Sequence, residues 1–171
     1  ATFFDATANI YRSGNGTGYR QTANLMPLAY GLVPADREDA VYDNLVADIR
    51  SRGDHLNTGA IGTKLLLPVL TQRGDIELAY TLATQTTYPS WGYWVEQGAT
   101  SSWETWSHTG PIQSQNHAFL GTFDDWLYKY LAGLSASEPG YAAVRIKPFI
   151  PTGLSRASAS VAERYSWMSC S

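Results

Sequence analysis

Residues 36–53 read DREDAVYDNLVADIRSRG, and this stretch decides the fold class. Val41, Leu45, Val46 and Ile49 recur on one face of a helix, with Asp36 and Asp39 forming a near capping box at its start. Arg50 and Arg52 suit the negative end of the helix dipole, and Gly53 stops the helix. The flanking segments repeat this pattern. Upstream, Ala23, Met26 and Tyr30 share a face, and Gly31 followed by Pro34 ends it. Downstream, Thr58 or Thr63 opens a helix through Leu65, Leu66, Val69 and Leu70 to Gly74; Asp75 then caps another through Ile76, Ala79, Tyr80 and Leu82. Phe3, Phe4, Ala8 and Tyr11 suggest a further helix before the break at Ser13-Gly14-Asn15-Gly16. A strong aromatic face (Phe119, Phe123, Trp126, Leu127, Tyr130, Leu131) predicts a helix over 116–134. The expectation is a mainly α chain of helices in antiparallel hairpins. Near its end the alternation of Val144, Ile146 and Pro148, and more weakly of 157–161, opens a β region.

Composition narrows the function classes. The 171 residues carry 12 Lys+Arg against 15 Asp+Glu, a net charge of −3, with 44% hydrophobic and only 16% charged residues. Such a chain packs a core and is not of the disordered class. The mild acidity, without a Lys/Arg cluster, argues against nucleic acid as a partner. No run approaches the ~18 apolar residues of a membrane span. The lone Cys170 excludes an intrachain disulfide and a cysteine zinc site. His55, His108 and His117 are scattered without metal-ligand spacing, so no metal is expected, and no phosphate-binding glycine loop or Gly-x-Ser-x-Gly elbow implies a cofactor or a serine nucleophile. His55 and His108 read as solvated loop residues, and Asp124-Asp125 as a solvated helix dyad. No leader pattern opens the chain; Ala1 falls inside what reads as a helix, so the native N-terminus is expected upstream.

Aromatics are the unusual feature. Of six tryptophans, five lie between Trp91 and Trp126. Between Tyr88 and Ser114 the helical period is lost, and a structureless connection of that length is usually functional. It holds Glu96 and Glu104 among four tryptophans. Indole faces stack on the C–H faces of sugar rings, and carboxylates accept hydrogen bonds from hydroxyls. A carboxylate desolvated by indoles also becomes a better base, and glycoside hydrolysis uses two such groups. His117 either contacts a ligand or is satisfied by backbone near a helix start.

Several motifs in order resemble the glycoside hydrolase family 78 α-L-rhamnosidases of bacteria and fungi. They are Leu56-Asn57-Thr58-Gly59-Ala60-Ile61-Gly62-Thr63, Gly74 to Tyr80, Tyr88-Pro-Ser-Trp-Gly-Tyr, Gly98-Ala-Thr-Ser-Ser-Trp-Glu-Thr-Trp and Asn116-His117-Ala-Phe. Gln21-Thr22-Ala23 through Pro34 and Arg145-Ile-Lys-Pro148 also fit, so the likeness runs to about Val161. The resemblance implies part of an (α/α)6 toroid and inverting hydrolysis of terminal α-L-rhamnose from glycosides or polysaccharides. By the same resemblance Glu104 is the general base, with Glu96 the second choice, and Trp91, Trp103 and His117 bind the sugar.

The chain departs from the family chiefly by what it lacks. No Asp-Cys-Pro-x-Arg-Asp-Glu-Arg-like stretch, where the family carries its general acid, occurs in these residues. The resemblance therefore assigns residues 1–136 to the second half of the catalytic domain and 137–171 to the start of a truncated β-sandwich, with the N-terminal half of the domain as the missing partner. Ser101-Ser102 replaces the family's Thr-aliphatic pair, and 162–171 no longer match. Without the acid, the isolated chain is expected to be inactive. A non-catalytic sugar-binding module, or an inactive fragment with an incidental aromatic core, is the alternative.

Overall fold

The computed structural model describes residues 3–14, 16, 18–107, 109, 114–162 and 167–170. Its frame is helical: α1 (Gln21–Ala29), α2 (Glu38–Ser51), α3 (Ala60–Gln72) and α4 (Ile76–Thr84), then short α5 (Trp91–Glu96) and α6 (Phe123–Trp126). α1 packs on α2 and on α3, and α3 packs on α4, so two helical hairpins lie side by side with α1 and α3 in contact. Leu25, Tyr42, Leu45, Ile49, Leu66, Leu67, Leu70, Leu78 and Leu82 fill the space between them. Each such side chain contributes about 1.5–3 kcal/mol of burial. α1 approaches α3 so closely that a Cβ at Gly62 would collide with Thr22.

Polar braces set the ends of these helices. Gln21 and Asn24, both buried, lie three apart on one face of α1. Gln21 donates to Asp48 of α2 (3.0 Å) and accepts from the Asn57 amide (2.6 Å), tying the 52–59 connection to both helices. Asn24 takes the Tyr11 amide (2.7 Å) and donates to the Tyr11 carbonyl (3.2 Å). At the opposite end Arg73, after α3, pairs with Glu38 (2.8 Å) and Asp39 of α2, and the Tyr42 hydroxyl donates to Asp75.

Four local expectations are corrected. Residues 3–11 form a hairpin, β1 (Phe4–Asp5) with β2 (Ile10–Tyr11), rather than a helix. Asp5 accepts from the Thr7 and Ala8 amides at 3.0 Å, closing a turn there, and Asn24 captures the far strand. The helix expected over 116–134 breaks into a 3-10 turn (Ala118–Leu120), α6, and a π turn (Leu127–Leu131). Gly121 lies at the break, against Ser102 of the preceding loop. The aperiodic stretch after Tyr88 contains α5. The Asp36 side chain pairs with Arg37 (3.1 Å) and that of Asp75 with Tyr42, while α2 and α4 have no side-chain cap. β3 (Leu134–Ala136) pairs antiparallel with β4 (Val144–Ile146), and β5 (Ala159–Ala162) with β6 (Trp167–Cys170), so the expected β region is present as two separate hairpins. Among the described residues no helix is long and apolar enough to cross a membrane.

Candidate active site

The N-terminal ends of α1, α3 and α5 and the C-terminal end of α2 gather at one end of the helices, joined by Gln21 and by the tryptophans of the 88–107 segment. α5 starts properly because Ser90 is a side-chain N-cap, accepting from the Tyr93 amide at 3.0 Å. A cis peptide precedes Pro89. Gly92 lies against the Gln85 carbonyl, where no side chain would fit.

The indoles lock the loops to this frame. Trp91, Trp94 and Trp103 are 5%, 4% and 6% exposed and belong to the main core. Trp91 donates to the Leu120 carbonyl (2.6 Å), Trp94 to the Trp106 carbonyl (3.1 Å), and Trp106 to the Thr58 carbonyl (2.8 Å). The rings pack on one another, with Trp94 stacked on Trp106 at 4.9 Å and Trp91 edge-on to Trp106 at 5.4 Å. Each of these N–H groups is therefore satisfied, as the apolar surroundings require.

Above this layer lies an irregular two-ply ribbon. The Glu104 amide donates to Ser114 O (2.9 Å) and the His117 amide to Ser102 O (2.8 Å), while the Ser101 hydroxyl donates to Gln115 O. The ribbon brings Glu104 and His117, distant in sequence, onto one small element. The Ser114 amide donates to Glu104 Oε2 at 3.1 Å, which fixes the carboxylate as an acceptor and leaves its other oxygen for solvent or ligand. His117 is half-buried and edge-on to the exposed Phe119 at 4.6 Å. Glu104 itself is exposed, contrary to the expectation that indoles desolvate it, because the indoles turn down into the core. Glu96 is the last residue of α5, exposed and off the ribbon. His55 is braced by its neighbours: Nδ1 meets the carbonyls of Arg52 (3.0 Å) and Gly53 (2.8 Å), and Nε2 meets the Thr87 hydroxyl (2.8 Å). His108 lies outside the described residues. Among those described, no cluster of three or more His, Cys, Asp or Glu is placed to hold a metal ion.

Two clefts flank the 56–59 turn. One, of about 500 Å³, is lined by Ser13, Arg20, Thr22, Met26 and Asn57, among others. The other, of about 260 Å³, lies on the Trp106 side.

The profile of the bacterial α-L-rhamnosidase 6-hairpin glycosidase domain matches residues 1–131. The chain belongs to this α-L-rhamnosidase family. It is 39% identical over 150 residues to an α-L-rhamnosidase of Streptomyces avermitilis, a match that covers 83% of this chain and 15% of that protein. An α-L-rhamnosidase of an Alteromonas species is 34% identical over 169 residues, covering 94% of this chain and 18% of its own length. Among solved structures, the S. avermitilis α-L-rhamnosidase complexed with L-rhamnose superposes with a TM-score of 0.83 at 36% identity, over 95% of this chain and 17% of that one. The Aspergillus terreus α-L-rhamnosidase gives 0.87 at 28% identity, over 98% and 20%. This rhamnosidase-family chain thus forms part of a six-hairpin glycosidase domain, as expected, and spans less than a quarter of the length of these relatives. The buried anchors Gln21, Asn24 and Thr58 went unnoticed in the sequence as site supports, although two polar residues three apart within an apolar helix pattern were the available signal.

Proposed function

We propose that this chain supplies the base-bearing part of an inverting α-L-rhamnosidase catalytic domain, acting on terminal α-L-rhamnose of glycosides or polysaccharides. Glu104 is the general base: its carboxylate takes a proton from the water that attacks the anomeric carbon. The observation that carries this reading is the Glu104–Ser114 pair, which holds one carboxylate oxygen at 3.1 Å from a backbone N–H and leaves the other to meet water. Glu104 is preferred over Glu96 because it shares its ribbon with His117. His117 hydrogen-bonds the sugar, while Trp91 and Trp103 support the pocket from beneath. Inversion needs an acid roughly 6.5–9.5 Å from the base with the water between, and that acid comes from a part of the enzyme beyond these residues.

The test is turnover of an aryl α-L-rhamnoside by this chain alone, and then with the acid-bearing half supplied. Activity appears only in the second case, with the β-anomer released first. Glu104→Gln then lowers turnover by about 10²–10⁴-fold while L-rhamnose still binds. Full activity in Glu104→Gln refutes the assignment. If that substitution only weakens sugar affinity, and no acid-bearing half restores turnover, the chain is a sugar-binding module.

A further inference from the structure

We infer that the cleft beside Trp106 is a subsite for the sugar unit to which the rhamnose is attached, an inference that rests on Glu104 acting at the rhamnosidic bond. The cleft is lined by Arg52, His55, Leu56, Asn57, Tyr88, Pro89 and Trp106 and holds about 260 Å³, below the roughly 300–1,000 Å³ of pockets for drug-sized ligands. Its wall begins two residues after Glu104, so their Cα atoms are at most about 7 Å apart.

Trp106 differs from its neighbours in a way that points to a ligand. The other loop tryptophans are buried, while Trp106 is half-buried and lines the cleft. Its orientation is fixed before any ligand arrives, by the bond to Thr58 O, the stack on Trp94 and the edge of Trp91. A pre-set aromatic wall loses little entropy on binding. Tyr88 is 54% exposed, and its ring is held edge-on to Tyr93 at 5.3 Å. The same cleft is lined by polar groups. The Asn57 backbone is pinned by Gln21, while its side-chain amide has no partner among the described residues and keeps two donors and an acceptor. Arg52 commits Nε and Nη2 to Asp48 (2.8 and 3.2 Å), which leaves Nη1 as a donor. His55 uses both nitrogens within the protein, so it braces the wall and reads nothing. Aromatic rings together with separated donors and acceptors in one cleft match a pyranose, with one C–H face and a rim of hydroxyls, better than a flat apolar aglycone.

The experiment is an NMR titration of the 171-residue chain with methyl α-L-rhamnopyranoside and with α-L-rhamnosyl-(1→2)-D-glucose. The disaccharide shifts the Trp106 indole N–H and the Asn57 and Tyr88 signals, whereas the monosaccharide moves those of Glu104 and His117 alone. The disaccharide Kd is about 3- to 10-fold lower, the worth of one or two hydrogen bonds with stacking, and Tyr88→Ala and Asn57→Ala each erase most of that difference. Two surface variants are used because Trp106→Ala removes a core brace as well. If both sugars shift Glu104 and His117 with equal Kd and the cleft signals stay still, the subsite is refuted and the Glu104 reading stands. Disaccharide shifts in the cleft without any at Glu104 or His117 overturn the link to the reaction. No binding of either sugar overturns the subsite.

Discussion

Trp126 and Thr71 form the brace by which α6 is held to α3, and their separation is a direct test of how the segment after His117 is positioned. Both are buried, at 1% and 0% exposure, and the Trp126 indole donates to Thr71 Oγ1 at 2.8 Å, while that hydroxyl donates on to Leu67 O at 2.8 Å. Thr71→Val keeps the shape and removes the acceptor. The Leu67 carbonyl keeps its helical backbone bond, but the indole N–H is stranded where no water reaches, at about 1–3 kcal/mol. Trp126→Phe removes the donor and leaves a void, costing a few kcal/mol, yet it orphans nothing, since Thr71 still donates to Leu67 O. In the Trp126→Phe background, therefore, Thr71→Val is nearly free. The two changes together fall short of additivity by about 1–3 kcal/mol. Urea unfolding followed by far-UV circular dichroism reads this without relying on tryptophan emission, and melting shows it as about 2–4 °C per kcal/mol. Additivity within ~0.5 kcal/mol would falsify the bond as an energetic brace.

Three further outcomes are expected. Gly121→Ala places a Cβ 2.5 Å from Ser102 Oγ and destabilises the ribbon; Ser102→Ala, which removes that oxygen, restores most of the loss in thermal melts, and a Gly121→Ala protein that melts like the parent excludes the clash. Asp5 is held below its usual 3.8 by the Arg12 guanidinium and the Ala8 and Thr7 amides, with burial working against them. The hairpin contribution is thus complete above about pH 4 and is lost as pH falls through the lower folded value; Arg12→Ala removes most of this dependence in the β1–β2 amide signals. Tyr42 and Tyr19 have pKa values raised above 10, chiefly by burial and then by Asp75 and Asp48 respectively. Their contribution is present below pH 10 and lost at higher pH, so near-UV absorbance shows their ionisation delayed beyond pH 10 and coupled to unfolding.

How far the fold was legible follows from where the determinants lie. α2, α3 and α4 declare themselves because each buries one stripe and the apolar spacing records which. The N-terminal hairpin did not, since its strands are two residues each and part of what holds them is remote: besides the local Asp5 turn, Asn24, on α1, grips Tyr11. Likewise the aromatic periodicity of 116–134 is real, and Trp126 and Leu131 are buried as it implies. It carries no information about the close approach of the Ser102 loop to Gly121, where the 3-10 turn gives way to α6.

The candidate site divides in the same way, with a consequence for reading mutants. Motif order in the sequence singled out the Trp/Glu loop, and the structure gives its parts different surroundings. The indoles of Trp91, Trp94 and Trp103 face the core, whereas Glu104 and His117 ride on the ribbon above them. Sequence spacing alone does not separate these, because Trp103 and Glu104 are adjacent and differ only in which way they turn. A Trp91→Phe variant strips the bond to Leu120 O and leaves a void, so its loss of activity tracks its loss of stability and recovers on cooling or with a stabilising background. A Glu104→Gln variant melts close to the parent, because the exposed amide oxygen still accepts from Ser114, and its loss of activity recovers under neither condition. Substitutions in one short loop therefore sort by whether function and stability fall together.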